Sequence, residues 1–290
     1  MSEVDKDVLL EINDLDVIYD SENPVHAVQH ANLQIRRGEI MGLAGESGCG
    51  KSTLAYSVNR LLKAPGRISS GEVLFHDASG ETIDVRALQG KALRDYRWAK
   101  TSMVFQGAMN SLSPVTKIGK QLEDVYITHC PGMSKSERQD RCAELLKIVH
   151  VDPNRLAAYP FELSGGMRQR VMIAMALALD PQLIIMDEPT TALDVVVQRE
   201  IIQQITELRN QRGFSVIFIT HDLPMLLEIT DRIAVMKSGV IVEQNTSENI
   251  YWHAQHPYTQ RLLSSFPSLT GDRGDFVRVV AKNSEVKSHE

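Results

Sequence analysis

The chain has 290 residues, 43% hydrophobic and 23% charged, with a net charge of −6. That length buries a full core, and the composition is that of an ordinary globular protein rather than a disordered or fibrous one. The acidic balance counts against a general nucleic-acid binder, which carries a basic excess.

In chain order, VLLEINDLDVIY (8–19) and AVQHANLQI (27–35) alternate apolar and polar residues. Half-buried antiparallel strands do this, and SENPVH reads as the turn between them. The acidic N-terminus lacks a signal-peptide layout, and no apolar run approaches the roughly 18 residues that span a bilayer. A cytosolic chain is therefore expected. EIMGLAG (39–45) predicts a buried strand, and STLAYSVNRLL (52–62) a helix with Leu54, Val58, Leu61 and Leu62 on one face. GRISSGEVLFHDASGETIDV predicts a strand and hairpin pair, and ALRDYRWAKTSMVFQ a short helix leading into a strand.

From about 108 to 162 the pattern turns helical. Ser134 and Glu137 form an S-x-x-E capping box, and Cys142, Leu145, Leu146 and Val149 follow on one face. Cys142 thus reads as a core residue. With Cys49 and Cys130 it makes three cysteines without a CxxC pair, so neither a disulfide framework nor a zinc site is expected. LIIMD (183–187) and SVIFIT (215–220) are short apolar runs, each preceded by a helical segment. That alternation predicts a parallel sheet with helices on both faces. RIAVMKSGVIVEQ reads as strand–turn–strand around Ser238 and Gly239. The stretch 265–290 reads as a polar, loosely ordered tail.

Two motifs carry chemistry. Gly45, Gly50, Lys51 and Ser52 fit G-x-x-x-x-G-K-[ST], the P-loop, between a predicted strand and helix. Glycines let the backbone approach phosphate oxygens, successive N–H groups form an anion nest, and the helix start adds its dipole. Lys51 supplies a full charge, and the Ser52 hydroxyl is a hard ligand suited to Mg²⁺. Gly45, Ser47, Gly48, Cys49, Gly50, Lys51, Ser52 and Thr53 are the candidate nucleotide contacts. In LIIMDEPTT an apolar strand ends in two acids. Asp187 is placed to hold Mg²⁺ through water, and Glu188 to polarise the attacking water.

LSGGMRQR (163–170), shortly before that acidic strand, resembles the signature of ATP-binding cassette (ABC) ATPases. The other elements of that family stand in order: Gln106 in MVFQ, Thr191 to Asp194 in TALD, His221 in FITHD, and Tyr19 upstream of the P-loop. The resemblance covers 8–264. It implies a P-loop NTPase (RecA-like) α/β core with an antiparallel β subdomain and a helical subdomain at about 108–165. It also implies that Tyr19 stacks on adenine, that Gln106 is a Mg²⁺ ligand and hinge, and that His221 contacts the γ-phosphate. Ser164, Gly165 and Gly166 would face the ATP of a second ATPase subunit, with Asp194 at the shared interface.

GMRQRVMIAMALALDPQLIIMDEPTTALDVVVQREI and HPYTQRLLSSFP (256–267) resemble the ATPases of dipeptide, oligopeptide and nickel importers. Some relatives import oligosaccharides. The departure is QGAMNSLSP, where Gly107 and Ala108 replace the acid and proline common after the glutamine. Many relatives carry a cysteine-rich extension after that C-terminal segment, able to hold an iron–sulfur cluster; with no cysteine after Cys142, that cluster is not expected here. The resemblance implies two membrane permeases, a second and different ATPase chain, an external solute-binding protein and no nucleic acid. It places the chain peripherally on the cytoplasmic face of the cell membrane. A soluble ABC ATPase of DNA repair or translation is the rival. Such relatives often carry two cassettes, zinc cysteines or a long coiled coil, and none of these is visible here.

Overall fold

The computed structural model describes residues 7–265 apart from 192. Strands β1 (Val8–Tyr19) and β2 (Val25–Arg36) come first, then β3 (Ile40–Ala44) and helix α1 (Lys51–Val58). β4 (Gly66–His76), β5 (Thr82–Asp84), α2 (Gly90–Ala99) and β6 (Thr101–Val104) follow. The stretch after β6 holds α3 (Ile118–His129), α4 (Lys135–Ile148) and α5 (Gly165–Leu177), with short 3-10 turns between them. The chain continues through β7 (Leu183–Asp187), α6 (Val195–Arg212), β8 (Ser215–Ile219), α7 (Leu223–Ile229) and β9 (Arg232–Lys237). It closes with β10 (Val240–Thr246), α8 (Ser247–His253) and α9 (Pro257–Ser264). The expected tail lies outside the described residues apart from Ser265.

Among the described residues the strands form two sheets. One is antiparallel, in the order β2-β1-β4-β5; the other runs β10-β9-β3-β8-β7-β6, parallel except for β10. Every residue of β3, β7 and β8 is buried, as expected of strands covered on both faces. Their side chains alternate between two cores. Ile184, Met186, Val216 and Phe218 pack with Leu122, Leu146, Val171 and Ile205 of the helices. Leu183, Ile185, Ile217 and Ile219 pack with Leu54 and Val58 of α1 and with Leu10, Val17 and Phe75 of the antiparallel sheet. The second face thus meets that sheet as well as helices. Each fully buried aliphatic side chain contributes roughly 1.5–3 kcal/mol. This period-two pattern outweighs any single cap or turn in fixing which strands lie inside.

One expected element is shorter than its sequence pattern. The helix predicted over 52–62 ends at Val58, and Arg60 adopts a left-handed φ of 53°. Long-range donors take the carbonyls that would cap the next turn. Tyr96 donates to the Val58 carbonyl at 3.1 Å and the Arg97 guanidinium to that of Asn59 at 2.8 Å; Arg97 also reaches the Arg60 carbonyl. Leu61 and Leu62 therefore lie off the helix.

The capping box forms as its spacing predicts. Glu137 N–H donates to Ser134 Oγ at 3.2 Å, and Ser134 N–H donates to Glu137 Oε2 at 2.8 Å. Cys142, Leu145, Leu146 and Val149 are all buried. Burial pushes the Cys142 thiol up to about 12, which makes it an inert core group. All three cysteines are free. Ser134→Ala should lower stability by about 1 kcal/mol, read as a shift of the denaturant midpoint at unchanged slope.

Candidate functional site

The sheet order brings the chemistry together. Adjacent strands β3, β8, β7 and β6 release from their carboxyl ends, in turn, the P-loop, His221, the Asp187–Glu188 pair and Gln106. Beyond that edge is where open parallel sheets bind ligands.

The P-loop is held from three sides. Gly45 and Gly50 have φ of 146° and 109°. A Cβ at Gly45 would stand 2.2 Å from the Met236 carbonyl oxygen, and one at Gly50 2.2 Å from that of Ala27. Sequence alone assigns these glycines to close phosphate approach; the structure adds the protein's own backbone as a tighter constraint. The Ser238–Gly239 turn joins β9 to β10, and Gly239 N–H donates to the Cys49 carbonyl at 2.9 Å. From α9, the Tyr258 hydroxyl accepts the Glu46 N–H at 3.0 Å, while Lys237 Nζ sits 5.2 Å from the Tyr258 ring centre. Burial raises the Tyr258 phenol, so it stays protonated. No local pattern in the sequence announces Gly239 or Tyr258 as part of this site.

Lys51 opens α1 and is only 6% exposed. Its Nζ donates to the carbonyls of Gly45 at 2.7 Å and Glu46 at 2.8 Å, and lies 3.7 Å from Cys49 Sγ. Cys49 is buried, whereas Ser47 and Gly48 are exposed at the mouth of the loop. Tyr19 ends β1, its hydroxyl 3.3 Å from Thr53 Oγ1.

Ser52 Oγ donates to Asp187 Oδ1 at 3.0 Å. Asp187 is 1% exposed, and its other oxygen is buried without a hydrogen-bond partner. Burial pushes its carboxyl above the usual value; the Ser52 bond opposes this and the Glu188 charge adds to it. An orphaned hard oxygen beside a serine hydroxyl is a donor set that fits Mg²⁺.

Glu188 gathers the remaining groups. It turns out of β7 with φ 46°, a conformation costing on the order of 1–3 kcal/mol, and its N–H donates to the Ile219 carbonyl at 2.9 Å. Its Oε2 accepts from Gln106 Nε2 at 2.8 Å and from Thr191 Oγ1 at 3.2 Å; its Oε1 lies 3.3 Å from His221 Nδ1. Gln106 thus meets Glu188, and no hydrogen bond takes it to Ser52 or Asp187.

The remaining expected residues lie elsewhere. Ser164 caps α5, accepting the Met167 N–H at 3.2 Å. Gly165 faces Leu193, and a Cβ at Gly166 would come within 2.7 Å of Val197, so Gly166 also serves packing against α6. Asp194 caps α6, accepting the Val197 N–H at 3.1 Å. Among the described residues, no hydrogen bond joins Ser164, Gly165, Gly166 or Asp194 to residues 45–53.

A P-loop with a buried lysine, a carboxylate facing its serine and a second acid set by a glutamine and a histidine define a nucleoside triphosphatase. The sequence profile of the family described as ABC transporter matches residues 28–191. The dipeptide transport ATP-binding protein of Haemophilus influenzae is 44% identical over 262 residues, covering 89% of this chain and 78% of the relative. The oligopeptide transport ATP-binding protein of Bacillus subtilis is 41% identical over 265 residues, 90% of this chain and 72% of the relative. A dimeric ATP-binding cassette solved after hydrolysis with ADP and phosphate superposes with a TM-score of 0.71. It is 31% identical and covers 82% of this chain and 99% of its own. The chain belongs to the ABC transporter family and is an ATPase.

Two outcomes follow from the buried groups. The folded Asp187 carboxyl titrates above its unfolded value of 3.8, so folding favours the protonated form. Its stabilising contribution is present below that unfolded value and lost as pH rises through the folded one. Deprotonation of the folded group therefore costs stability in the nucleotide-free protein. Asp187→Asn should raise the melting temperature by a few degrees at pH 7 while abolishing ATP hydrolysis. Tyr258→Phe removes one hydrogen bond to the loop and should weaken Mg-ATP binding roughly two- to tenfold by calorimetry.

Proposed function

We propose that this ATPase powers an importer that takes up peptides through two membrane permeases, fed by an external solute-binding protein. Residues 8–264 form the nucleotide-binding domain, with the helical stretch at about 108–165 as its transmission element. The cargo class is supported by the relatives, which are named for dipeptide and oligopeptide transport. Among the described residues no helix is long and apolar enough to cross a membrane.

The observation that carries the mechanism is the Glu188 carboxylate, which holds Gln106, Thr191 and His221 at once. Glu188 orients the attacking water and accepts its proton as the water oxygen bonds to the γ-phosphorus and the γ-phosphorus–bridging-oxygen bond breaks, releasing ADP and phosphate. His221 keeps Glu188 aligned and reaches the γ-phosphate. The P-loop N–H groups and Lys51 take up the charge on the phosphate oxygens. Tyr19 supports the adenine. Ser52 and Asp187, with Gln106 as a further ligand, would hold Mg²⁺, which would supply positive charge against the phosphate groups.

The site is completed by a second ATPase subunit. Ser164–Gly166 begin a helix whose N–H groups make no contact with the P-loop of their own chain, and the fold neighbour is dimeric. Beside Asp194, Val195 and Val196 are 66% and 67% exposed, apolar surface suited to burial against that partner. Gln106 also connects the site to Phe105, which is 40% exposed, and Val115 and Phe161 of the helical stretch are exposed too. Movement of Gln106 on closure would shift this apolar surface, where a permease would dock on the cytoplasmic face of the membrane.

Glu188→Gln should lower the hydrolysis rate by roughly 10²–10⁴ while still binding Mg-ATP, and should accumulate an ATP-dependent dimer in gel filtration. Normal turnover would remove Glu188 from its role. Lys51→Ala should weaken nucleotide binding itself. Purification of the tagged chain in mild detergent should bring two permeases, a second ATPase and a peptide-binding protein. Recovery with a sugar- or nickel-binding protein would change the cargo, and recovery with nucleic acid would remove transport.

A further inference from the structure

A second cationic cluster lies at the C-terminal end of α1, beside the strand pair that carries Tyr19. The cavity there measures about 360 Å³ and is lined by Arg60, Arg67 and Arg86 together with Leu62, Gly66 and Ile68. Two of these guanidiniums are anchored on one nitrogen only. Arg60 Nη1 donates to the carbonyls of Val85 at 3.1 Å, Leu88 at 3.5 Å and Arg86; Arg86 Nη1 donates to that of Gly71. Among the described residues Nε and Nη2 of both make no hydrogen bond, and no carboxylate comes within 4.0 Å of either. Arg67 is held by Asp20 through Nε at 2.6 Å and Nη2 at 3.4 Å. Three fixed positive charges therefore face one carboxylate. Arg97 lies behind them, and burial followed by the Arg60 charge holds its guanidinium below the usual value.

Bonds to main-chain carbonyls of residues 85–88 and of Gly71 in β4 account for one nitrogen of Arg60 and of Arg86. They do not account for the remaining donors, nor for the convergence of a third guanidinium on the same cavity. Main-chain carbonyls are neutral and leave both charges uncompensated. Guanidiniums with one edge pinned and the other free are prepared for bidentate contact with an oxyanion. Leu62 and Ile68 add an apolar wall that a bare inorganic ion would not use.

We propose that Arg60, Arg67 and Arg86 bind the phosphate group of an organophosphate, either a soluble ester or a lipid headgroup. Among the described residues none of these arginines touches the P-loop, Asp187 or Glu188 by a hydrogen bond, and the proposal stands whether or not the cargo is a peptide. The test uses the full chain with its P-loop saturated by Mg²⁺ and a non-hydrolysable ATP analogue, so that the nucleotide site cannot report. Glycerol 3-phosphate is titrated by calorimetry, and phosphatidylcholine vesicles with and without phosphatidic acid are co-sedimented. Arg86→Gln should weaken binding roughly tenfold or more. Arg67→Gln, at an exposed position whose guanidinium bonds to Asp20 and to no main-chain carbonyl, should do the same. Lys147→Gln, on α4, serves as the surface-charge control and should change nothing, and hydrolysis of ATP by the arginine variants should match the parent. Binding of the soluble ester assigns a small-molecule site, and binding of phosphatidic-acid vesicles alone assigns a headgroup site. Absence of both, or binding that ignores Arg67 and Arg86 or falls equally with Lys147→Gln, overturns the proposal.

Discussion

Two buried charges that do not pair with each other set the terms for this molecule. Lys51 is 6% exposed and Asp187 1%, yet the lysine spends its donors on loop carbonyls and one aspartate oxygen has no partner. Burying a charge without compensation costs several kcal/mol. The Ser52 bond and the Lys51 charge offset part of the cost at Asp187, and the loop between the two is clamped by Gly239 and Tyr258. A nucleotide bound at this loop would bring phosphate charge to Lys51, so its binding would offset part of a cost that folding has already incurred. Nucleotide should therefore stabilise the fold as well as react on it.

The same economy governs Glu188. Its left-handed backbone and its grip on Gln106, Thr191 and His221 place one carboxylate where three loops meet. Strand order makes this possible, since β6, β7 and β8 are neighbours and end at one edge. Any group that pulls Gln106 must loosen a contact of Glu188. One hydrogen bond of 2.8 Å thus ties Glu188 to the residue that follows Phe105.

Much of this was legible in the sequence. Alternation marked β1 and β2, continuous apolar runs marked β3, β7 and β8, and S-x-x-E marked the start of α4. The P-loop spacing and the acids after LIIMD named groups that the sheet then brings together. The misses share one cause: contacts between residues far apart in the chain leave no local pattern. The end of α1 at Val58 is set by Tyr96 and Arg97, some 38 positions away. Tyr258 meets Glu46 across 212 positions. Gly166 reads as a helix opening, while its contact with Val197 appears only once α5 and α6 are packed.

Cys49 gives this clamped loop a built-in reporter. Its Sγ would stand 2.8 Å from a Cβ at Gly45 and lies beside Lys51 Nζ, enclosed by the loop it belongs to. An alkylating reagent reaches that sulfur only when Tyr258, Gly239 and the lysine let go together. Its modification rate, compared with and without nucleotide, counts loop-opening events directly. The chain thereby offers a clock for its own phosphate site, with no label added.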